Sequence, residues 1–413
     1  MYYYPFMKQK NVAIIGNASR DFIDYAAENN VNYTIFLDSR REKLAPHTIT
    51  VDFNDYEALL EMLVSTESGP FTTVLTFYEE YIVVTALLAQ RLGVLGLSPE
   101  AALACTDKTV MRGAFLHAPM QISPAFTVIE TLDDALTFTK KYGYPVIIKP
   151  ASLAKSLLVT KIHNEAELRE NYFKINDLLP GVYKKYAPRN EPKLLIEEFM
   201  EGSIHSIDAF VQNDGVPHLL DHIVDYQTGY DIGFDDNFHY SRLLPSKLSA
   251  SDQKALKECA KEGMRALGMK NSPAHVEIIM TNKGPRIVEI AARNGGYRQK
   301  MHLSAHGINL YNNHIALLHN EALTLHPKTQ DPCAVLELFP KQNGLFDGIH
   351  FHDELKELNS LRYLNVRYLL GERIGKSGEG YKAATVIMLH NTNKVVFDAD
   401  LTWLNEHVYI KTV

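Results

Sequence analysis

The chain has 413 residues, and 46% are hydrophobic against 22% charged. That is the balance of a globular protein with a sizeable core rather than a disordered one, and the length suits roughly two to four domains. The net charge is −7 and no basic block occurs, which argues against nucleic acid or an anionic membrane surface as a partner. Cys105, Cys259 and Cys333 are few and widely spaced, without zinc-site spacing, so they read as reduced thiols of a cytoplasmic protein. The segment Met1-Tyr2-Tyr3-Tyr4-Pro5-Phe6-Met7-Lys8 lacks the pattern of a secretory signal, and no apolar run reaches membrane-spanning length.

The first hundred residues alternate between two periodicities. Strands are expected at 12–16, 33–37 and 73–77, and helices at 22–29, 56–63 and 81–92. This βαβαβα pattern predicts a small parallel sheet covered by helices, with ligands gathering at the strand C-terminal ends. Gly16-Asn17-Ala18-Ser19 lies at such an end but is no dinucleotide fingerprint; a tight turn and a substrate contact both suit it. Helices follow at 100–104 and 108–116, with Thr106 or Asp107 available as the cap of the second. Strands are expected at 126–128, 146–149 and 158–161, and helices at 132–142 and 165–174. Runs 194–198, 206–212 and 217–225 suit an antiparallel sheet, 231–244 reads as a loop, 251–267 as an amphipathic helix capped by Ser251, and 310–318 as another helix. The last eighty or so residues read as β-rich, with strand-like runs at 334–339, 361–369, 383–390 and 394–397 and a glycine-rich turn at 375–380.

The densest chemical signal is His275-Val276-Glu277 followed by Glu289 and Arg293. Strands at 274–280 and 286–291, joined by Thr281-Asn282-Lys283-Gly284-Pro285, would let the two carboxylates face each other. Mg²⁺ takes one or two protein carboxylates and completes its octahedron with substrate phosphates. Arg293 can point a guanidinium at the same place, a set of parts suited to phosphoryl transfer. A surface hairpin with scattered charges is the competing reading. It has to explain two acids set inside apolar runs, where an unpartnered carboxylate is costly.

Two lysines suit phosphate. Lys149 ends a strand before Pro150, and Lys108 opens a helix, where the backbone already favours anions. Taken singly, each also suits a solvated surface. Ser152, Lys155 and Ser156 lie in a glycine-free loop that suits either a phosphate cover or an ordinary hairpin. In Glu197-Glu198-Phe199-Met200 a strand runs into a turn whose acids, backbone and apolar side chains suit a flat amine-bearing ring.

In this order, Asp107-Lys108, Gly143-Tyr144-Pro145-Val146-Ile147-Ile148-Lys149-Pro150, Ile196-Glu197-Glu198-Phe199-Met200-Glu201-Gly202, His275-Val276-Glu277 and Val288-Glu289-Ile290-Ala291-Ala292-Arg293-Asn294-Gly295-Gly296 resemble the ATP-grasp superfamily. The resemblance covers about residues 100–320, and the loop after Lys149 and the segment after Glu289 look most like the L-amino acid ligases, which make dipeptides.

The resemblance implies an α/β chain with the ATP-grasp fold. It would comprise an N-terminal parallel α/β domain (1–100), two α+β lobes clamping ATP (101–190 and 191–325) and a small β-rich C-terminal subdomain (326–413). It implies an ATP- and Mg²⁺-dependent carboxylate–amine ligase working through an acyl phosphate, with Mn²⁺ as a substitute ion, amino acids as substrates and a homodimer compatible with it. By the same resemblance Lys108, Lys149 and Ser156 hold ATP phosphates, and Glu197 or Glu198, with Phe199 and Met200, takes the adenine. Glu277 and Glu289 hold the metal, and Arg293 stabilises the transferring phosphoryl group and the later oxyanion. Asp236, His239, Gly295, Gly296 and Tyr297 surround the amino acid substrates, although Asp235 and Asp236 also suit a solvated turn and His239 a packed loop. The chain departs from the family at Ile204, where a ribose-binding acid is common, at Ala291, where an Asn is common, and in its glycine-free loop. A biotin carboxylase-like or purine-pathway ligase is the alternative enzyme; an inactive nucleotide-binding regulatory protein is the alternative of another class.

Overall fold

The computed structural model describes residues 10–41, 45–153, 157–187 and 190–413. Lys155 and Ser156 of the expected phosphate loop, and the N-terminal Met1–Lys8 segment, lie outside them. The first strands are fully parallel, in the order Thr48–Val51, Asn32–Asp38, Asn11–Ile15, Thr73–Leu75. Alternation along Asn11–Ile15 explains why helices cover both faces. Val12 and Ile14 pack with Phe22 and Ala26 on one side, and Ala13 and Ile15 pack with Leu59, Leu63 and Leu88 on the other. Thr48–Val51 carries only a short period-2 signal and was not expected as a strand.

The second sheet is antiparallel, in the order Phe126–Ile129, Leu194–Glu198, Val146–Pro150, Thr160–Ile162. Its apolar face meets helices Leu132–Tyr142 and Glu165–Tyr186. The second helix runs well past the expected residue 174 and carries Pro180 inside it. Leu194–Glu198 therefore belongs to a different sheet from the runs that follow it, because it pairs on both edges with strands that precede it.

The third sheet forms one antiparallel path: Gly284–Ala291, Ser272–Thr281, Gly202–Val211, Val224–Thr228, His239–Leu244, Cys333–Leu338, Thr385–His390, Leu361–Val366. Pro217–Leu219 pairs at the side of Gly202–Val211. Helix Ala250–Ala266 packs Leu256, Cys259 and Met264 against Ile207, Val276 and Ile290. Its cap is Ser249, not Ser251: the Ser249 side chain accepts from Asp252 N.

Two expectations are corrected here. Residues 239–244 are a strand, not loop, because both edges find partners in Val224–Thr228 and Cys333–Leu338. Residues 394–397 open the helix Lys394–His407 rather than a strand, because the Asn393 side chain accepts from Val395 N and Val396 N. That local cap outweighs the weak strand preference of two valines. Of the strands after residue 326, three extend the third sheet. A smaller sheet of Arg373–Ile374, Gly344–Ile349 and Ile410–Thr412 packs against them through Phe346, Ile349, Leu336 and Ile387.

Candidate active site

The tight turn after Ser272–Thr281 pairs Ile278 with Ile287, and a one-residue shift beyond that pair sets Glu277 opposite Glu289. The ladder is irregular between Glu277 and Ile278, the kind of bulge that re-aims a side chain. Two like charges facing across a sheet are unfavourable unless cations stand near. Here they do. Lys108 Nζ lies 3.2 Å from Glu289 Oε2, and His275 Nε2 lies 3.5 Å from Glu277 Oε1. Burial opposes ionisation of Glu277, but the hydrogen bond to His275 and the positive charge of Arg293 outweigh it and hold the carboxyl well below the usual range.

His275 is itself fixed from behind. Its Nδ1 lies 2.9 Å from Asp208 Oδ1, and this buried carboxylate raises the imidazole pKa against the effect of burial. Gly295 N donates to the same Asp208 oxygen at 3.4 Å. Asp208, His275 and Glu277 thus form a chain that charges one acid of the pair and ties it to the Gly295-Gly296 turn. Arg293, just before that turn, donates to Glu79 Oε2 at 2.9 Å.

On the opposite wall Lys149 Nζ lies 2.6 Å from Glu197 Oε2, while Arg112 Nε donates to Glu197 Oε1 at 2.8 Å. All three side chains are buried. Burial alone would raise the Glu197 pKa; Arg112 and Lys149 pull it down to about 2. Burial, with Arg112 and Lys108 nearby, brings Lys149 down to about 8 in spite of Glu197. Glu197, for which an adenine contact was expected, has both oxygens committed to cations. Glu198 is half-buried, 3.5 Å from Lys283, and Lys161 stands over the Phe199 ring at 3.8 Å from its centroid. Lys108 also donates to Leu153 O at 3.2 Å, and Asp107 caps its helix.

The third wall centres on Tyr297, held at φ 62°. Its hydroxyl donates to Glu337 Oε1 at 2.8 Å and accepts from Arg367 Nη2 at 2.7 Å. Arg242 Nη2 lies 2.9 Å from Glu337 Oε2. His239 faces this wall, its pKa lowered by burial. Asp236 does not join it, which corrects the expected substrate contact. Its carboxylate accepts from Ser377 N at 2.7 Å and Gly378 N at 3.1 Å, locking the glycine-rich turn in place.

A single cleft of roughly 3850 Å³ joins these walls, several times a usual small-molecule pocket. Lys108, Lys149, Glu197, Glu198, Phe199, Met200, His239, Glu277, Glu289, Arg293, Gly295, Gly296 and Tyr297 all line it. Glu79, Tyr226, Arg242, Glu337 and Arg367 line it too, although nothing in the sequence singled them out. Glu79 begins a helical turn as acids commonly do; Tyr226, Arg242 and Glu337 come from strands, and Arg367 follows the strand Leu361–Val366. The donor set suits a divalent cation: two register-paired carboxylates at an open cleft, one held ionised, with space for phosphate oxygens.

Comparison with known proteins agrees with this geometry. The family described as ATP-grasp domain matches residues 142–300. Alanine–anticapsin ligase of Bacillus subtilis (strain 168) is 29% identical over 250 residues, 58% of this chain and 52% of that protein. Human carnosine synthase 1 is 23% identical over 276 residues, 61% of this chain and 31% of the relative. The chain thus spans about half or less of the length of these relatives. An L-amino acid ligase structure from Bacillus licheniformis superposes with a TM-score of 0.82 at 20% identity, over 98% of this chain and 99% of that one. The fold is the ATP-grasp fold.

Proposed function

We infer that this chain, an ATP-grasp protein by its fold and its matched domain, is an ATP-dependent carboxylate–amine ligase that joins amino acids into dipeptides. The observation that carries the reading is the pairing of Glu277 with Glu289 at a cleft lined by Lys108, Lys149 and Arg293. The similarity to an alanine–anticapsin ligase and to an L-amino acid ligase structure supports amino acids as substrates.

Under this reading Lys149, oriented by Glu197, and Lys108 meet the phosphates of ATP. Glu198 and the backbone around Phe199 and Met200 meet the adenine edge. Glu277 and Glu289 would hold Mg²⁺, which supplies charge neutralisation to the triphosphate when bound. A substrate carboxylate oxygen attacks the γ-phosphorus, the bond to the ADP oxygen breaks, and an acyl phosphate forms. An amine then attacks the acyl carbon, and collapse of the tetrahedral adduct expels phosphate and leaves the amide. Arg293 faces both the transferring phosphoryl group and the oxyanion, where a positive charge acts most strongly. The acyl phosphate must be kept from water, and the lobe bearing Lys149 is the element positioned to cover it.

Purified protein given ATP, Mg²⁺ and amino acid mixtures should release phosphate only when amino acids are present. Glu289→Ala should abolish that release while circular dichroism stays unchanged. Release that requires bicarbonate alone, or full turnover by a folded Glu289→Ala protein, would contradict the reading.

A further inference from the structure

The wall around Tyr297 has an unbalanced charge. Arg242 and Arg367 both turn to one carboxylate, Glu337, at 2.9 and 3.6 Å. All three are largely buried, with side-chain exposures of 11%, 24% and 17%. The Tyr297 hydroxyl bridges Glu337 and Arg367, and Tyr297 lies under the Arg242 guanidinium at 5.3 Å from its ring centroid. Lys300, beside this wall, is matched by Asp21 at 2.6 Å and adds no net charge. Two guanidiniums sharing one acid leave one positive charge without a partner, an arrangement that burial penalises unless an anion enters the cleft. Arg367 is the more exposed of the two and also lines the cleft. A guanidinium presents a planar fork that fits a carboxylate with two parallel hydrogen bonds.

The geometry points to Arg367 as a specificity residue for an anionic substrate side chain, so that one of the two amino acids joined is a dicarboxylic one. This rests on the ligase reading, and it assigns a role to a wall that the nucleotide chemistry does not use. Glu277 is a further acid near this wall, 3.5 Å from the hydroxyl of Tyr226, whose ring lies under Arg242 at 5.7 Å; under the ligase reading its charge is met by the cation, which leaves Arg367 to attract the acidic side chain. Glu337 is the built-in counter-charge: it keeps Arg242 neutralised and Tyr297 in place, leaving Arg367 to the substrate.

The test compares glutamate with glutamine and aspartate with asparagine, pairs that differ in charge and hardly in shape, each with alanine as co-substrate. Phosphate release should show kcat/KM at least tenfold higher for the acids. Arg367→Met should remove that preference mainly through KM for the acid, Arg367→Lys should retain part of it, and Arg367→Glu should shift preference toward lysine. Equal use of acids and amides overturns the proposal. So does an Arg367→Met variant that loses all substrates equally, which would mark Arg367 as a contact for the common α-carboxylate or as structural. Should no amino acid stimulate phosphate release, the ligase reading fails on its own. Thermal shift with MgADP then decides the charge question: glutamate but not glutamine should raise the melting temperature, and an equal response to both counts against an anion-selective wall.

Discussion

Lys149 concentrates the electrostatics of the wall it shares with Glu197 and Arg112 in one group. Its ammonium sits 2.6 Å from Glu197, yet burial and two neighbouring cations bring its pKa from 10.5 to about 8. Between those values the unfolded chain keeps a proton that the folded chain has lost, so this group's contribution to stability rises with pH there. Under the proposed function phosphate binding runs the other way, because the ammonium loses its charge as pH rises through about 8. KM for ATP should therefore climb above about pH 8, and Lys149→Arg should flatten that climb; a wild-type KM constant from pH 7 to 9.5 would refute it. Arg293 makes a second residue-scale test. Its removal to alanine should lower kcat by roughly 10²–10³ while ATP affinity changes little, as expected for a group that meets charge developing in the transition state. Equal losses in both would assign it to ground-state binding. At this scale the nearness of Glu277 and Glu289 was legible because a short turn joins their strands, while the one-residue shift that sets them directly opposite carries no sequence signal. Asp236 was not, because its partners lie 141 and 142 residues further on and no local pattern announces them.

Among the elements, the turn Asn294-Gly295-Gly296 shows how packing joins chemistry. A Cβ on Gly295 would overlap His275 Nδ1 and Arg298 Cγ, both buried and held by Asp208. Neither can retreat without losing that carboxylate. Gly295→Ala should cost roughly 1–3 kcal/mol of stability, the range for overfilling a packed site. It should also cut turnover, because the displaced His275 is the group that steadies Glu277. Chemical denaturation with an activity assay checks both, and unchanged stability would mean that the turn relaxes freely. Elements with strong local signals, such as the capped helix Leu132–Tyr142 and the hairpin of Ser272–Thr281 with Gly284–Ala291, were readable from sequence. The strand His239–Leu244 was hidden, since its polar, aromatic-rich run becomes a strand only when two distant neighbours supply both edges. The helix Arg298–His306 was missed because it is buried with polar residues: Arg298, Gln299 and His302 face inward to Asp208 and the Leu310 and Tyr311 amides.

For the whole molecule, three sheets meet at one cleft, and each contributes charge to it. The parallel sheet's domain brings Glu79 to Arg293, the small antiparallel sheet brings Lys149 and Glu197, and the large sheet brings the acid pair and the Tyr297 wall. The order of the nucleotide motifs conveyed this meeting from sequence alone. The continuity of the large sheet through Leu361–Val366 was not conveyed, because it depends on His239–Leu244 pairing with Cys333–Leu338, about ninety residues further along the chain. Under the proposed function, a divalent cation on Glu277 and Glu289 would unite the three walls by facing phosphates held by Lys108 and Lys149. The most direct measurement is anomalous diffraction from crystals grown with Mn²⁺ and a non-hydrolysable ATP analogue. Manganese peaks ligated by both Glu277 and Glu289 and by phosphate oxygens are predicted. Manganese bound with the nucleotide but beyond reach of both carboxylates would contradict the account.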